Sequence, residues 1–291
     1  MKEKQAYSFI ITAAVLWGCI GIFYRKLSSM GFTPMEIVFI RVTVAAAAMI
    51  WYCFITDPRK LNIRLKDSFW FLGTGIGSLV FFNWCYFHAM DKTSLATAAL
   101  LLYTAPVFVL LMSCLFLGEQ ITKKKAAAMA IVFAGSALSS GILTEQGNPL
   151  SWPGIFYGLG AGFGYGLYSI FGTVLLRKYQ AETVSTYTFV FAAAGAAPAF
   201  VSGFQWSGLA CLSKALWPAL GIGILSSMLP FLLYTRGLKL VSASKASGVA
   251  AIEPVAAAAV GLVFFEETLD GGKILGIIMT LWGIFLLKSA E

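Results

Sequence analysis

Charged residues are scarce in this sequence. They make up 12% of its 291 residues, whereas hydrophobic residues make up 59%. A soluble domain usually carries about 25% charged residues. A soluble fold of this length could not keep so much apolar surface out of water, so the surplus must face lipid. The net charge of +8 does not indicate nucleic acid as a partner, because the basic residues stand in short clusters between apolar runs, as loop charges of a membrane protein do.

Histidine and paired cysteine are also nearly lacking. The single histidine, His88, has no cysteine or second histidine beside it, and none of the five cysteines belongs to a CxxC pair. Four cysteines lie within apolar runs, where a thiol is a small packing group, and the fifth, Cys211, lies in a predicted loop. The pattern predicts no disulfide framework, no metal site and no cofactor.

Catalytic motifs are absent as well. The sequence contains no HExxH, no GxSxG and no GxxxxGK[ST], which are the signatures of zinc peptidases, serine hydrolases and P-loop NTPases. We therefore expect no catalytic residues and no enzymatic activity. The chain cannot hydrolyse ATP by itself, so any active process must use an ion gradient or the gradient of its own substrate.

Long apolar runs are what the sequence has instead. A membrane-spanning helix needs roughly 20 apolar residues. Ten runs of that kind can be placed, near 7–26, 34–55, 68–88, 94–117, 124–143, 154–176, 183–203, 214–237, 242–265 and 272–288. The sequence thus predicts an all-α membrane protein of ten transmembrane helices, with the lipid bilayer as its surroundings.

The loop charges predict the orientation of these helices. Of the 21 Lys and Arg residues, fifteen fall on the side of the termini, Arg41 alone lies inside a span, and five fall on the other side: Arg25, Lys26, Lys92, Lys214 and Lys273. Loops rich in Lys and Arg stay in the cytoplasm. We expect a multi-pass protein of a plasma membrane or bacterial inner membrane, with both termini cytoplasmic.

One stretch of sequence occurs twice. The segments YTAPVFVLLMSCLFLGE (103–119) and AIEPVAAAAVGLVFFEE (251–267) each contain Pro-Val and end on a glutamate thirteen residues after the proline. The same offset of 148 residues pairs other positions, among them Gly18 with Gly166, Ser78 with Ser226, Tyr86 with Tyr234 and Lys125 with Lys273. Five spans per copy is an odd number, so the second copy must cross the membrane in the opposite sense. We predict two inverted five-helix repeats, with helices 1–5 in residues 1–146 and helices 6–10 in residues 147–291.

These features resemble the drug/metabolite transporter superfamily and, within it, the EamA family. The residues that carry the resemblance are Trp17-Gly18, Arg41, Pro106-Val107 through Gly118-Glu119, and Glu253-Pro254-Val255 through Glu266-Glu267. The resemblance covers essentially the whole chain and implies a ten-helix transporter. Relatives move amino acids, amines, drugs, sugars or nucleotide precursors, many of them outward. The second copy reads FFEE where the family usually has Gly before the Glu, which predicts a slightly different turn after the ninth span.

Glu253 is the strongest candidate for a functional residue. It lies about ten residues into the ninth span, which at 1.5 Å per residue is about 15 Å, the bilayer midplane. A carboxylate there costs at least ~2.5 kcal/mol, so it should face a cavity or a partner. Glu253 could bind an ammonium group of a substrate, or take up a proton and couple transport to the gradient. The alternative is a structural carboxyl group that is hydrogen-bonded to a neighbouring helix.

Other side chains could complete a binding site. Arg41, about seven residues into the second span, either snorkels outward or reaches inward to Glu253 or to a substrate carboxylate. Aromatic and amide side chains at suitable depth could form the cavity wall, and we expect a cavity between spans one, three, four, six, eight and nine. The predicted substrate-binding residues are Glu253, Arg41, Trp17, Tyr165, Tyr168, Tyr86, Tyr103 and Asn83, with Glu253 also the predicted proton-coupling residue.

The sequence therefore predicts a secondary transporter that exports small polar or amphipathic metabolites such as amino acids, amines or organic cations. It would work by alternating access around a mid-membrane cavity, with a coupling proton or by substrate exchange. The rival hypotheses are a flippase for a lipid-linked substrate and an intramembrane enzyme. The sequence leaves open the substrate, the direction, the coupling ion and whether the protein is a monomer or a homodimer.

Overall fold

The computed structural model describes residues 2–141, 151–203, 212–266 and 268–288, and every regular element within these ranges is a helix. We number the ten long helices α1 (Lys2–Ser28), α2 (Pro34–Thr56), α3 (68–92), α4 (Leu95–Leu117), α5 (Lys123–Ser139), α6 (Trp152–Leu176), α7 (Ala181–Gly203), α8 (Ser213–Leu238), α9 (Ala243–Phe265) and α10 (Gly271–Lys288). Three predictions fall outside the described residues: the loop position of Cys211, the part played by Glu267, and the boundary between the repeats at 146/147.

The helices fit a membrane in length and composition. Eight of them are long and apolar enough to cross one, and the other two, α3 and α5, lie where the sequence predicts the third and fifth spans. Large apolar side chains cover the outside of the bundle, among them Trp51, Leu115, Phe116, Phe264 and Phe285. Such a surface would be a liability in water and is what lipid contact requires. The predicted fold class, an all-α membrane protein, is confirmed.

The two repeats share irregularities of the backbone as well as residues. Helix α3 changes to π-helical geometry over Gly73–Val80, and α8 does so over Gly221–Met228, which is the same segment shifted by 148 residues. Helix α4 is interrupted at residues 103–104 and α9 at 251–252, again 148 residues apart. Irregular helix segments are frequent at functional sites. The duplication predicted from the sequence is therefore visible in the local backbone.

Helix packing joins the repeats to each other along their whole length. Helix α2 packs against α7 and α5 against α10, so corresponding helices of the two repeats touch each other. The remaining large contacts come in related pairs: α3 with α6 matches α8 with α1, and α4 with α6 matches α9 with α1. The main hydrophobic core consequently lies between the repeats, where side chains of both repeats meet.

Local signals explain where several helices begin. Thr33 and Glu36 form a capping box at the start of α2, with Pro34 in the first turn, and this arrangement satisfies backbone donors that the helix leaves free. In α9, Pro254 stands in the first turn after the interruption, where the missing N–H of proline costs least.

The turns that end α4 and α9 have the same backbone conformation. Gly118 has φ +72° and its counterpart Glu266 has φ +55°, both in the left-handed region. The prediction of a different turn after the ninth span is therefore wrong at Glu266. The shared fold holds Glu266 in a conformation that normally favours glycine.

Candidate functional site

Trp17 of α1 and Tyr165 of α6 lie at the centre of the molecule. They are 148 residues apart, so they occupy the same position in the two repeats. Their rings meet edge to face, with centroids 6.3 Å apart and an interplanar angle of 67°. A residue that touches its own counterpart must lie next to the pseudo-two-fold axis. The candidate site therefore sits where the two halves meet, which is where inverted-repeat transporters bind their substrates.

A small cavity adjoins this pair. Its volume is about 10 Å³, enough for about one water molecule. Its wall comes from α1, α3, α6 and α8 and consists of Trp17, Ser78, Leu79, Phe82, Tyr165, Tyr168, Ser169, Phe231 and Tyr234. Helices α4 and α9, which we also expected, contribute no side chain to this cavity. Three of the nine lining residues were predicted, and Tyr234 was not, although it pairs with the predicted Tyr86 at the repeat offset. The other lining residues that were not predicted are Ser78, Leu79, Phe82, Ser169 and Phe231.

Hydrogen bonds between α6 and α8 seal the cavity on the side of the chain termini. The Tyr168 hydroxyl is 2.5 Å from Thr235 Oγ1, and Ser169 Oγ is 2.7 Å from the Tyr234 hydroxyl. The two pairs are adjacent and buried. They use the polar groups of Tyr168, so that side chain acts here as part of a seal.

Glu119 joins the two repeats at the same face. Its Oε1 accepts a hydrogen bond from the backbone N–H of Ala243 at 2.9 Å, and its Oε2 accepts one from Ser244 and one from Lys125 Nζ at 2.9 Å. Glu119 thus ties the α4–α5 loop to the first turn of α9. Burial raises the pKa of Glu119, but the hydrogen bonds from Ser244 and Lys125 outweigh it, and the pKa lies below its ordinary value.

Glu182 of α7 makes a second connection at this face. Its Oε1 accepts a hydrogen bond from Arg236 of α8 at 2.6 Å and lies 3.9 Å from Lys60 Nζ in the α2–α3 loop. Arg236 also donates to the Tyr52 hydroxyl of α2 at 3.3 Å. Both Lys60 and Tyr52 belong to the first repeat, so this network also crosses from one repeat to the other.

A third connection involves Asp67 in the loop before α3. It accepts hydrogen bonds from Lys178 Nζ at 2.7 Å and from the Tyr179 hydroxyl at 2.8 Å, both just after α6. The hydrogen bond from Lys178 is the main cause that lowers the pKa of Asp67 below its ordinary value. Together with Glu119 and Glu182, this acid closes the termini side of the interface.

Glu253 lies directly after the interruption in α9. The side chain is half-buried, and its Oε2 accepts a hydrogen bond from the Tyr165 hydroxyl at 3.2 Å. Helix α1 approaches closely here, because a Cβ atom on Gly18 would lie only 2.7 Å from Cβ of Ala256. Glycine and alanine at this crossing bring Trp17 and Glu253 into the same region. The carboxylate therefore faces the interface between the repeats.

Arg41 lies on α2, on the side of the aromatic pair away from the termini. It is only 8% exposed, so it does not snorkel to the surface, and its Nε is buried without a hydrogen-bond partner. The guanidinium lies within electrostatic range of the Glu253 carboxylate. Among the described residues, however, no carboxylate lies within 4.0 Å of it. Arg41 and Glu253 therefore face one region without touching.

The remaining predicted residues are placed differently. Tyr103 lies at the interruption of α4 and within electrostatic range of Glu253, so it borders the same region. Asn83 is buried, but its side-chain amide donates to the Leu79 carbonyl of its own helix at 2.7 Å. Its amide N–H is therefore engaged by the local backbone.

The described residues contain no group of three or more His, Cys, Asp or Glu side chains that could hold a metal ion. The charges of the site are instead one carboxylate and one guanidinium among aromatic rings. Such a set can bind and orient small ions or dipolar molecules.

Comparison with known proteins defines the class. The EamA-like transporter family matches residues 4–141 and, a second time, residues 152–289. The chain therefore belongs to the EamA-like transporter family, and it is a membrane transporter built from two copies of the family's repeat. A solved crystal structure has the same fold, with a TM-score of 0.82 at 19% identity over 98% of this chain and 96% of that one.

Similar proteins of known name are transporters too. An uncharacterized transporter of Archaeoglobus fulgidus is 29% identical over 95% of this chain and 94% of its own length. The uncharacterized transporter YxxF of Bacillus subtilis is 26% identical over 98% of this chain and 90% of its own length. A probable terminal-alkyne amino-acid exporter of Streptantibioticus cattleyicolor is 24% identical over 99% of this chain and 95% of its own length.

Proposed function

We propose that this protein is a secondary transporter that exports small polar or amphipathic metabolites, with amino acids and amines as the first candidates. The observation that carries the proposal is the half-buried carboxylate of Glu253, which faces the interface of two inverted repeats beside Tyr165 and Trp17. A carboxylate at that depth needs a partner, and a substrate ammonium group or a proton would supply one. The probable amino-acid exporter of Streptantibioticus cattleyicolor supports amino acids as a substrate class.

Alternating access would follow from the polar connections. The structure is sealed on the termini side by the Tyr168–Thr235 pair and by the contacts of Glu119, Glu182 and Asp67. Transport requires these contacts to break while the opposite side closes around the substrate. With the termini in the cytoplasm, opening of this side would load an exported substrate.

Glu253 would couple the cycle to a driving force. If a proton and a cationic group compete for the same carboxylate, release of one accompanies binding of the other, and the proton gradient drives net transport. Glu253→Gln keeps the shape and the acceptor oxygen for Tyr165 but removes the charge. The variant should therefore fold and insert normally.

The test is transport by purified protein in proteoliposomes, with a panel of amino acids, polyamines and aromatic cations and an imposed pH gradient. We expect the wild type to transport members of the panel and Glu253→Gln to show no net, pH-dependent transport. Glu266→Gln removes an exposed carboxylate from the end of the same helix and serves as the matched control. A normal rate and pH profile of Glu253→Gln would show that this carboxylate is structural. Binding of a lipid-linked substrate and of no soluble compound would support a flippase instead.

A further inference from the structure

The fold does not explain the buried guanidinium of Arg41. A guanidinium stays protonated in proteins, and a buried charge without a partner is strongly unfavourable. Arg41 is 8% exposed and its Nε has no acceptor. Among the described residues, this buried cation has no carboxylate within ion-pair distance.

The pseudo-symmetry shows that the backbone does not require this charge. At the offset of 148 residues, Arg41 corresponds to Phe189 and Glu253 corresponds to Ala105. Both counterparts are buried and apolar, at 0% and 2% exposure. The same helix positions are thus filled by apolar residues in the other repeat. Each charge occurs once, in a different repeat, and both face the same region.

The two charges do not neutralise each other directly. Arg41 interacts electrostatically with Glu253, but the structure gives them no ion pair within 4.0 Å, although it records five other ion pairs among the described residues. Tyr165 donates to Glu253 and holds that carboxylate in place. A ligand that carries an anion and a cation a short distance apart would join the two groups.

We infer that Arg41 is a carboxylate subsite and Glu253 an ammonium subsite of one binding site, which takes zwitterionic α-amino acids. This inference rests on the proposed transport function and narrows its substrate class. The planar fork of the guanidinium matches a carboxylate with two parallel hydrogen bonds. The ammonium group of the same ligand, one carbon away, reaches Glu253, and the side chain of the ligand lies against Trp17 and Tyr165.

A simple amine fits this arrangement less well. It would satisfy Glu253 but would leave Arg41 without an anion and would add a second positive charge beside it. A simple carboxylic acid would leave Glu253 without an ammonium group and with a proton as its only cationic partner. A ligand with both charges supplies a partner to both residues at once, so the site should discriminate by charge pattern more than by side chain.

The test measures ligand binding by the purified protein, from ligand-induced shifts in its melting temperature. The probes are alanine, leucine and phenylalanine, the amines that lack the carboxylate (ethylamine, 3-methylbutylamine and 2-phenylethylamine), and the acids that lack the ammonium group (propionate, 4-methylpentanoate and 3-phenylpropionate). The proteins are the wild type, Arg41→Gln, Arg41→Lys, Glu253→Gln and Arg59→Gln. Arg59 is an exposed loop arginine, so Arg59→Gln controls for the loss of one positive charge.

We expect the wild type and Arg59→Gln to bind at least one amino acid much more tightly than its amine and its acid. In Arg41→Gln the preference for the amino acid over the amine should fall by on the order of 30-fold or more, because a buried charge partner is lost. Arg41→Lys should retain part of this preference, because lysine keeps the positive charge but cannot donate the two parallel hydrogen bonds of a guanidinium. In Glu253→Gln the preference for the amino acid over the acid should fall instead.

Three results would overturn the inference. If Arg41→Gln keeps the preference of the wild type for amino acids, Arg41 is not the carboxylate subsite, and the transport function stands. If the wild type binds the amines more tightly than the amino acids, the ligand is a cation and the transport function again stands. If the wild type binds none of the nine compounds and transports no member of the wider panel, the inference and the proposed function both fail.

Discussion

Trp17 and Tyr165 occupy the same position in the two repeats, and their rings meet edge to face with centroids 6.3 Å apart. A duplication usually separates counterparts, whereas here the inverted arrangement brings them together at the axis. The Tyr165 hydroxyl then continues to Glu253. The aromatic pair therefore connects the pseudo-two-fold axis to the carboxylate of Glu253.

The first prediction concerns access to this pair. Trp17→Cys and Tyr165→Cys, each made in a chain without its own cysteines, should react with a water-soluble maleimide as the site opens, and a transported amino acid should slow the reaction. Leu65→Cys is the control, because residue 65 is 87% exposed in a loop and should react equally with and without substrate. Equal labelling of positions 17 and 165 in both conditions would place the substrate elsewhere.

The second prediction concerns the contact between Glu182 and Arg236. Glu182→Gln leaves the guanidinium half-buried without its carboxylate, so we expect a loss of about 1–2 kcal/mol in the free energy of unfolding. Arg236→Gln should cost a similar amount. The double variant should lose less than the sum of the two, and a double-mutant cycle of thermal unfolding in detergent measures the difference. Strictly additive losses would mean that the two side chains do not interact.

The third prediction concerns pH and Glu119. Its pKa in the folded protein lies below its ordinary value, so its ionised form stabilises the fold. That contribution is complete above the unfolded pKa of about 4.3 and is lost as the pH falls through the lower folded value. The melting temperature of the wild type should therefore drop more steeply than that of Glu119→Gln below about pH 5, and the variant should be less stable at pH 7. Parallel curves for the two proteins would contradict the role given to Glu119.

The fourth prediction compares the turns after α4 and α9. Glu266→Gly should stabilise the protein by about 1 kcal/mol, because it removes a side chain from a left-handed backbone position. Gly118→Ala should destabilise it by a similar amount, and no atom within 4 Å of the added Cβ complicates that comparison. Unfolding free energies of the two variants test the pair. If both variants changed the free energy of unfolding in the same direction, the two turns would not be equivalent.

The fifth prediction separates function from stability at Arg41. Arg41→Met removes a buried charge that has no carboxylate within 4.0 Å among the described residues, and it keeps much of the side-chain volume. Replacing buried ionic groups by apolar residues is often neutral or stabilising, by up to ~4 kcal/mol. We expect an unchanged or higher melting temperature together with a loss of amino-acid binding. A marked loss of stability would indicate that Arg41 has a structural partner.

The fold could be predicted from the sequence because its signals are local or periodic. Ten apolar runs give ten helices, and a fixed offset of 148 residues gives the repeats. The offset also pairs Trp17 with Tyr165, but their contact depends on their position beside the pseudo-two-fold axis, which the offset does not give. The identical φ region at Gly118 and Glu266 shows where a residue-type rule failed, because the duplicated backbone overrode the preference of the local residue.

The site was only partly predictable. Glu253 stood out because a carboxylate in an apolar run is costly, but its partner Tyr165 lies 88 residues away, and nothing in one sequence links them. Asn83 looked like a ligand-binding amide, yet its N–H binds the nearby Leu79 carbonyl. Such a bond depends on rotamers and on the π-helical segment that ends just before Asn83, and neither can be read from composition.

The seal made by Tyr168, Ser169, Tyr234 and Thr235 has a consequence for the temperature dependence of the cycle. If the two repeats exchange conformations to close the other side, the positions that meet there are their counterparts, Ile20, Gly21, Tyr86 and Phe87. One seal is then made of hydrogen bonds and the other mainly of apolar contacts. Apolar burial carries a large heat-capacity change and weakens on cooling, whereas burial of polar groups changes the heat capacity in the opposite sense. Cooling should therefore shift the resting population toward the form that is sealed on the termini side.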